Sequence, residues 1–217
     1  MSQLELAAKA VAEVFYKYAG QDAKKNKLNT TELKALMQKE VTSLKGADAD
    51  VTKMLKCLDD NKDGEIDIVE FGTLVGILAN GYRKWSRPEV PHKDQTRKGP
   101  SQTALLLLTP LYYLCRLKSV AAMSQLESAV QSLVDVFIKY TEQEGSKNQL
   151  SQGELKRLIA TELSSGALGK KVGPEEVGEL MGQLDKNHDG EVNIQEFCRF
   201  ISILANGYYK SKKKGSA

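Results

Sequence analysis

Residues 59–70 read DDNKDGEIDIVE, and their oxygen-bearing side chains fall at regular intervals. Asp59, Asn61 and Asp63 stand at loop positions 1, 3 and 5, with Asp67 at 9 and Glu70 at 12. Gly64 at position 6 permits a sharp turn, and Glu65 at 7 offers its backbone carbonyl. A chain curled through that glycine aims alternate side chains at one point. Every donor is a hard oxygen, and six to eight of them in a flexible cage suit a calcium ion. The pattern recurs at Asp185, Asn187, Asp189, Gly190, Glu191 (again through its carbonyl), Asn193 and Glu196. An acidic turn without affinity accounts for neither the glycine nor the second match. Asn193 replaces a carboxylate at position 9, so charge count predicts tighter binding by the first loop.

This spacing is the EF-hand loop. The position-12 glutamate opens the exiting helix, so metal position and helix orientation are tied together. Ile66 and Val192 at position 8 are apolar residues through which a paired loop would be faced. A partner loop is expected upstream. Residues 19–32, AGQDAKKNKLNTTE, and 141–154, TEQEGSKNQLSQGE, hold that place. Both end in a glutamate, Glu32 or Glu154, two positions later than a twelve-residue loop would have it.

The helices that must position these loops come from a repeat. Residues 1–41 match 123–163 at 19 of 41 positions, with an offset of 122; residues 51–82 match 177–208 at 16 of 32, with an offset of 126. The extra length falls in 164–174, a Ser/Gly/Lys stretch that reads as a loop. Leu126, Val130, Leu133, Phe137 and Tyr140 form one apolar helical stripe, copied more weakly as Leu4, Ala8, Val11, Phe15 and Tyr18. Further stripes predict three more helices in each unit, the fourth beginning near Phe71 and Phe197. No strand-like alternation of useful length appears. The fold class is therefore all-α: two four-helix units, each a pair of EF-hands, one loop of the variant kind and one standard.

A fourteen-residue loop ending in Glu, then a hinge, then a standard loop, within about 90 residues, resembles the S-100 family of calgranulin and calcyclin type. Residues 15–18 and 137–140, and the Leu-Asp starts at Leu58 and Leu184, are similar to that family as well. The resemblance covers 1–82 and 123–208. It implies variant loops that bind calcium mainly through carbonyls: Ala19, Asp22, Lys24 and Lys27 with the Glu32 carboxylate, then Thr141, Glu144, Ser146 and Gln149 with Glu154. Ala23 departs from the family's glycine, and Lys24 adds a positive charge there; the second unit keeps Gly145. The resemblance further implies a calcium sensor in which the third helix swings and an apolar cleft opens to target proteins or peptides. The cleft would use Met54, Leu55, Leu74, Leu78 and Tyr82, and Leu180, Met181, Phe200, Leu204 and Tyr208. The alternative is a calcium buffer with little opening. Pairing through the first and fourth helices is implied, either as a pseudo-dimer within the chain or as a homodimer.

Composition excludes other classes. The 217 residues are 41% hydrophobic and 27% charged, with a net charge of +3. That charge is segregated: 11 Lys/Arg against 13 Asp/Glu in 1–82, 8 against 2 in 83–122, and 12 against 13 in 123–217. The units are faintly acidic, which argues against nucleic acid. The connector, 83–122, has no repeat counterpart. Its stretch 99–115 is uncharged but interrupted by Pro110, and a membrane span needs about 20 apolar residues. Docking on an apolar surface or at a membrane interface by 99–117, or an unstructured insert, all stay open. Three scattered cysteines point to a reducing, cytoplasmic setting. Only His92 and His188 are present, too few for a zinc site. No phosphate loop or nucleophile with a base stands out, so no enzyme is expected.

Overall fold

The computed structural model describes residues 1–19, 26–41, 51–86, 123–141, 149–163 and 177–214. The first unit holds α1 (Gln3–Tyr18), α2 (Thr30–Glu40), α3 (Val51–Leu58) and α4 (Ile68–Ser86). The second holds α5 (Gln125–Thr141), β1 (Gln149–Leu150), α6 (Gln152–Leu158), a π-helical turn (Ile159–Leu163), α7 (Val177–Leu184), β2 (Val192–Asn193) and α8 (Ile194–Lys214). The π turn has no counterpart in α2, which runs on unbroken.

Six of these helices start with a reciprocal cap. Ser2 Oγ accepts the Glu5 amide at 3.1 Å while Glu5 accepts the Ser2 amide at 3.2 Å. Ser124 and Glu127 do the same for α5. The remaining four boxes are Asn29 with Glu32, Asp67 with Glu70, Ser151 with Glu154, and Asn193 with Glu196. Each satisfies two amides that a helix start leaves bare. Because Asp67 and Asn193 cap, α4 and α8 begin at Ile68 and Ile194, three residues before the expected phenylalanines. α4 runs to Ser86, and α8 continues through the basic cluster that begins at Lys210.

Within each unit, helix ends are tied in the same way twice. The phenylalanines pack in pairs, Phe15 with Phe71 at 5.4 Å and Phe137 with Phe197 at 5.5 Å between ring centres. Tyr18 donates to Glu40 at 3.0 Å and Lys17 reaches the same oxygen at 2.9 Å. Tyr140 and Lys139 repeat this on Glu162, each at 3.2 Å. These buried carboxylates, with their partners, fasten the end of the first helix to the end of the second.

The apolar stripe of α1 is buried as its spacing requires, but Ala7, Ala12 and Val14 are buried too. That second face meets the other unit. α1 packs on α5 and α8, and α4 packs on α5 and, most extensively, on α8. First and last helices of both copies thus share one bundle and one core. Each fully buried Leu or Phe there is worth about 1.5–3 kcal/mol of transfer free energy. The two copies are paired within the chain. Residues 87–122, most of the connector, lie outside the described residues, and no described helix is long and apolar enough to cross a membrane.

Candidate metal centres

The standard loops close on themselves through their own carboxylates. Asp59 accepts the amides of Asp63 at 3.1 Å and Gly64 at 2.9 Å; Asp185 accepts those of Asp189 at 3.2 Å and Gly190 at 2.8 Å. Asn61 and Asn187 add second acceptors to the amides of Asp63 and Asp189. Gly64 and Gly190 both have φ of 82°, a left-handed turn that glycine adopts without strain. Lys62 and His188, at position 4, share the left-handed backbone at 59° and 56°. The sharp turn expected at position 6 is therefore a two-step bend, identical in both copies.

Position 12 does two tasks. Glu70 Oε2 caps α4 through the Asp67 amide at 2.9 Å, while Oε1 reaches back to the amides of Asp60 at 3.1 Å and Asn61 at 3.3 Å. Glu196 does the same with Asn193 at 2.9 Å and Lys186 at 3.0 Å. Both carboxylates are buried. Burial pushes the Glu196 carboxyl above the usual range, and nearby Asp185 and Asp189 add to the rise. A buried acid among acids, with no cationic side chain bridged to it among the described residues, is a setting that favours a divalent ion.

The variant loops show their ends only. Asp22, Lys24, Glu144 and Ser146 lie outside the described residues. Ala19 and Thr141 are buried at the closing ends of α1 and α5. Glu32 and Glu154 each cap a helix with one carboxylate oxygen; the other, Oε1, is buried and accepts no hydrogen bond. Glu5 Oε1 shares that condition, so the bare oxygen gains its meaning from standing at the end of a loop. At that place a hard cation would complete it. Among the described residues no three His, Cys, Asp or Glu side chains form a ready-made cluster. The set fits calcium only when amide and carbonyl oxygens join the carboxylates.

The loops of each unit are joined in pairs. Leu28 and Ile66 exchange backbone hydrogen bonds at 2.8 and 2.9 Å, and β1 pairs antiparallel with β2, Leu150 opposite Val192. Position 8 therefore faces the variant loop as its apolar character suggested. One contact was not legible from the loop pattern. Lys27 forms an ion pair with Asp63, whereas its equivalent Gln149 donates to Asp189 at 2.6 Å. The Lys27 ammonium holds the Asp63 carboxyl below the usual range. Lys27 thus brings a positive charge to the loop in which charge count alone predicts the tighter binding. Comparing the repeat columns at 27 and 149 would have found the asymmetry.

Of the expected cleft residues, Met54, Leu55, Leu74, Met181, Phe200 and Leu204 are buried and Leu78 is half-buried. Leu180 has its side chain outside the described set. Tyr82 departs from its expected place: it stands against Gln131 and Asp135 of α5, across the boundary between units. Tyr208 is half-buried against the shared core.

Comparison with known proteins agrees with this geometry. A model described as the S-100/ICaBP type calcium binding domain matches residues 4–44 and 126–165, and an EF-hand model matches 51–75 and 178–201. Protein S100-A5 of Rattus norvegicus is 43% identical over 83 residues, which is 38% of this chain and 86% of that protein.

Proposed function

Since the chain belongs to the S-100 family of calcium-binding EF-hand proteins, we propose that it is a calcium sensor whose two units each open an apolar cleft to target proteins. The role is regulatory rather than catalytic. The observation that carries this reading is the double use of Glu70 and Glu196 as helix caps and as ties to the loop start. Bound calcium would supply a dense positive charge at the loop centre, held by the side chains of Asp59, Asn61, Asp63, Asp67 and Glu70 and the Glu65 carbonyl. The second site would use Asp185, Asn187, Asp189, Asn193 and Glu196 with the Glu191 carbonyl. To face that charge, Glu70 would have to release the amides of Asp60 and Asn61, which lie just beyond the end of α3. The end of α3 is then free to be redrawn relative to α4.

Such a movement would uncover Met54, Leu55 and Leu74 in the first unit, with Met181, Phe200 and Leu204 as the second set. Methionines beside leucines and an aromatic ring make an adaptable groove for an amphipathic helix. A cytoplasmic setting is proposed from the cysteine count alone. The test is calcium-dependent exposure of apolar surface, followed by a solvatochromic dye and by retention on a hydrophobic resin. A rise on adding calcium, reversed by a chelator, supports the sensor. A flat response with calcium still bound assigns the chain as a buffer.

A further inference from the structure

The two copies meet through positions that have diverged in opposite directions. On α4, a carbon added to Gly72 would lie 2.6 Å from Ser202 Oγ, 2.9 Å from Ser202 Cβ and 3.1 Å from Arg199 Cα of α8. A carbon on Gly76 would lie 2.8 Å from Gln195 Cα. There is no room for a side chain at either glycine. Yet the equivalent positions in the second copy carry Cys198 and Ser202. Bare backbone on one helix receives side chains from the other.

Charge follows the same division. Asp60 accepts from Arg199 at 3.1 Å and lies 3.6 Å from Lys186 Nζ. By the repeat offset of 126, Lys186 is the equivalent of Asp60 itself, and Arg199 that of Thr73. This place in the interface therefore brings a residue against its own counterpart, and the counterparts have opposite charge. At the edge of the bundle, Tyr16 stacks on Tyr209 with ring centres 3.6 Å apart and donates to Asn206 at 3.0 Å. Their equivalents are Ile138 and Arg83.

Each like-with-like pairing loses these matches. Two first copies would set Asp60 against Asp60 and glycine against glycine, leaving a gap along the helices. Two second copies would set Lys186 against Lys186, and would bring Cys198 to the place opposite Ser202 where the present contact admits no side chain at all. We infer that the α4–α8 face is a heterotypic interface: the partner each unit fits is the unlike unit, supplied by its own chain, and not the same unit of a second copy. This inference rests on packing and charge across the α4–α8 face.

The test starts from the full chain with a protease site placed in the connector. The chain is folded, cleaved, diluted, left to re-equilibrate and weighed by native mass spectrometry. The ratio of unlike to like pairs, which is one in a random one-to-two-to-one distribution, should rise about tenfold or more. A random distribution, or a surplus of either like pair, overturns the proposal. Asp60→Lys on the exposed rim keeps the cores intact and should lower the surplus about two- to threefold. Asp60→Lys combined with Lys186→Asp and Arg199→Glu should restore it; failure of this triple variant to recover overturns the role of the charge cluster.

Discussion

Lys27 sets the first standard loop apart from the second at a single atom. Its ammonium occupies Asp63, a carboxylate that calcium would need. Lys27→Gln, which installs the residue of the second copy, should raise the affinity of the first standard loop about fivefold, as expected for removing one exposed charge near a divalent site. Calcium titration of the full chain checks this; unchanged affinity would mean the pair is screened out. Glu196 gives a second prediction. Its carboxyl is held above the ordinary range chiefly by burial, so its charged form is a cost in the calcium-free fold, present above that range and relieved as pH falls. Calcium binding at this loop should weaken as pH falls through the raised value, with protons taken up as the metal leaves. Glu196→Gln should cut affinity at that loop by about 100-fold or more, since even outer partners of metal ligands are worth about 10–100-fold. The calcium-free melting temperature should fall by no more than a few degrees, since Gln offers one acceptor oxygen where Glu196 uses two but removes the buried charge. Thermal scans with and without chelator decide it, and a calcium-free loss of many degrees would contradict the assignment.

At the scale of helices, the glycines of α4 make the sharpest case. Alanine is favoured over glycine inside a helix by about 1 kcal/mol. At Gly76 the neighbouring backbone of Gln195 leaves no space. Gly76→Ala should therefore destabilise the chain by about 1–2 kcal/mol net, overpacking outweighing propensity; denaturant melts measure it, and a more stable variant would show that the helices can part at little cost. This position also marks the limit of what could be read in advance. The loops were legible because their ligands lie within twelve residues and follow a local geometry. The apolar stripes were legible for the same reason, and the Asp67–Glu70 and Asn193–Glu196 caps were there to be read at the two helix starts placed instead from the phenylalanines. The resemblance implies a cleft position for Tyr82, whereas Gln131 and Asp135 reach it only through packing between copies, which no single unit's pattern contains. Gly72 and Gly76 have no reason in their local sequence; the close approach of α8 supplies it.

For the whole molecule, the shared bundle joins the stability of the copies. α1, α4, α5 and α8 bury one common core, so neither unit can open its first or last helix without exposing the other. The chain should melt in one cooperative transition, with calorimetric and van't Hoff enthalpies equal. Two resolved transitions would refute this. Calcium should move that single transition upward, each site adding about 2.7 kcal/mol when free calcium is a hundredfold above its dissociation constant. Metal at one end of the molecule then protects the other without any direct contact.

The stack of Tyr16 on Tyr209 has an optical consequence. Two phenol rings 3.6 Å apart and 10° from parallel sit close enough for their ultraviolet transitions to couple. They belong to different copies, on α1 and α8. The coupled band in near-ultraviolet circular dichroism is therefore an intrinsic gauge of whether the halves are joined, read without a label and without reference to calcium. Tyr209→Leu would silence the gauge, leaving the loop ligands untouched.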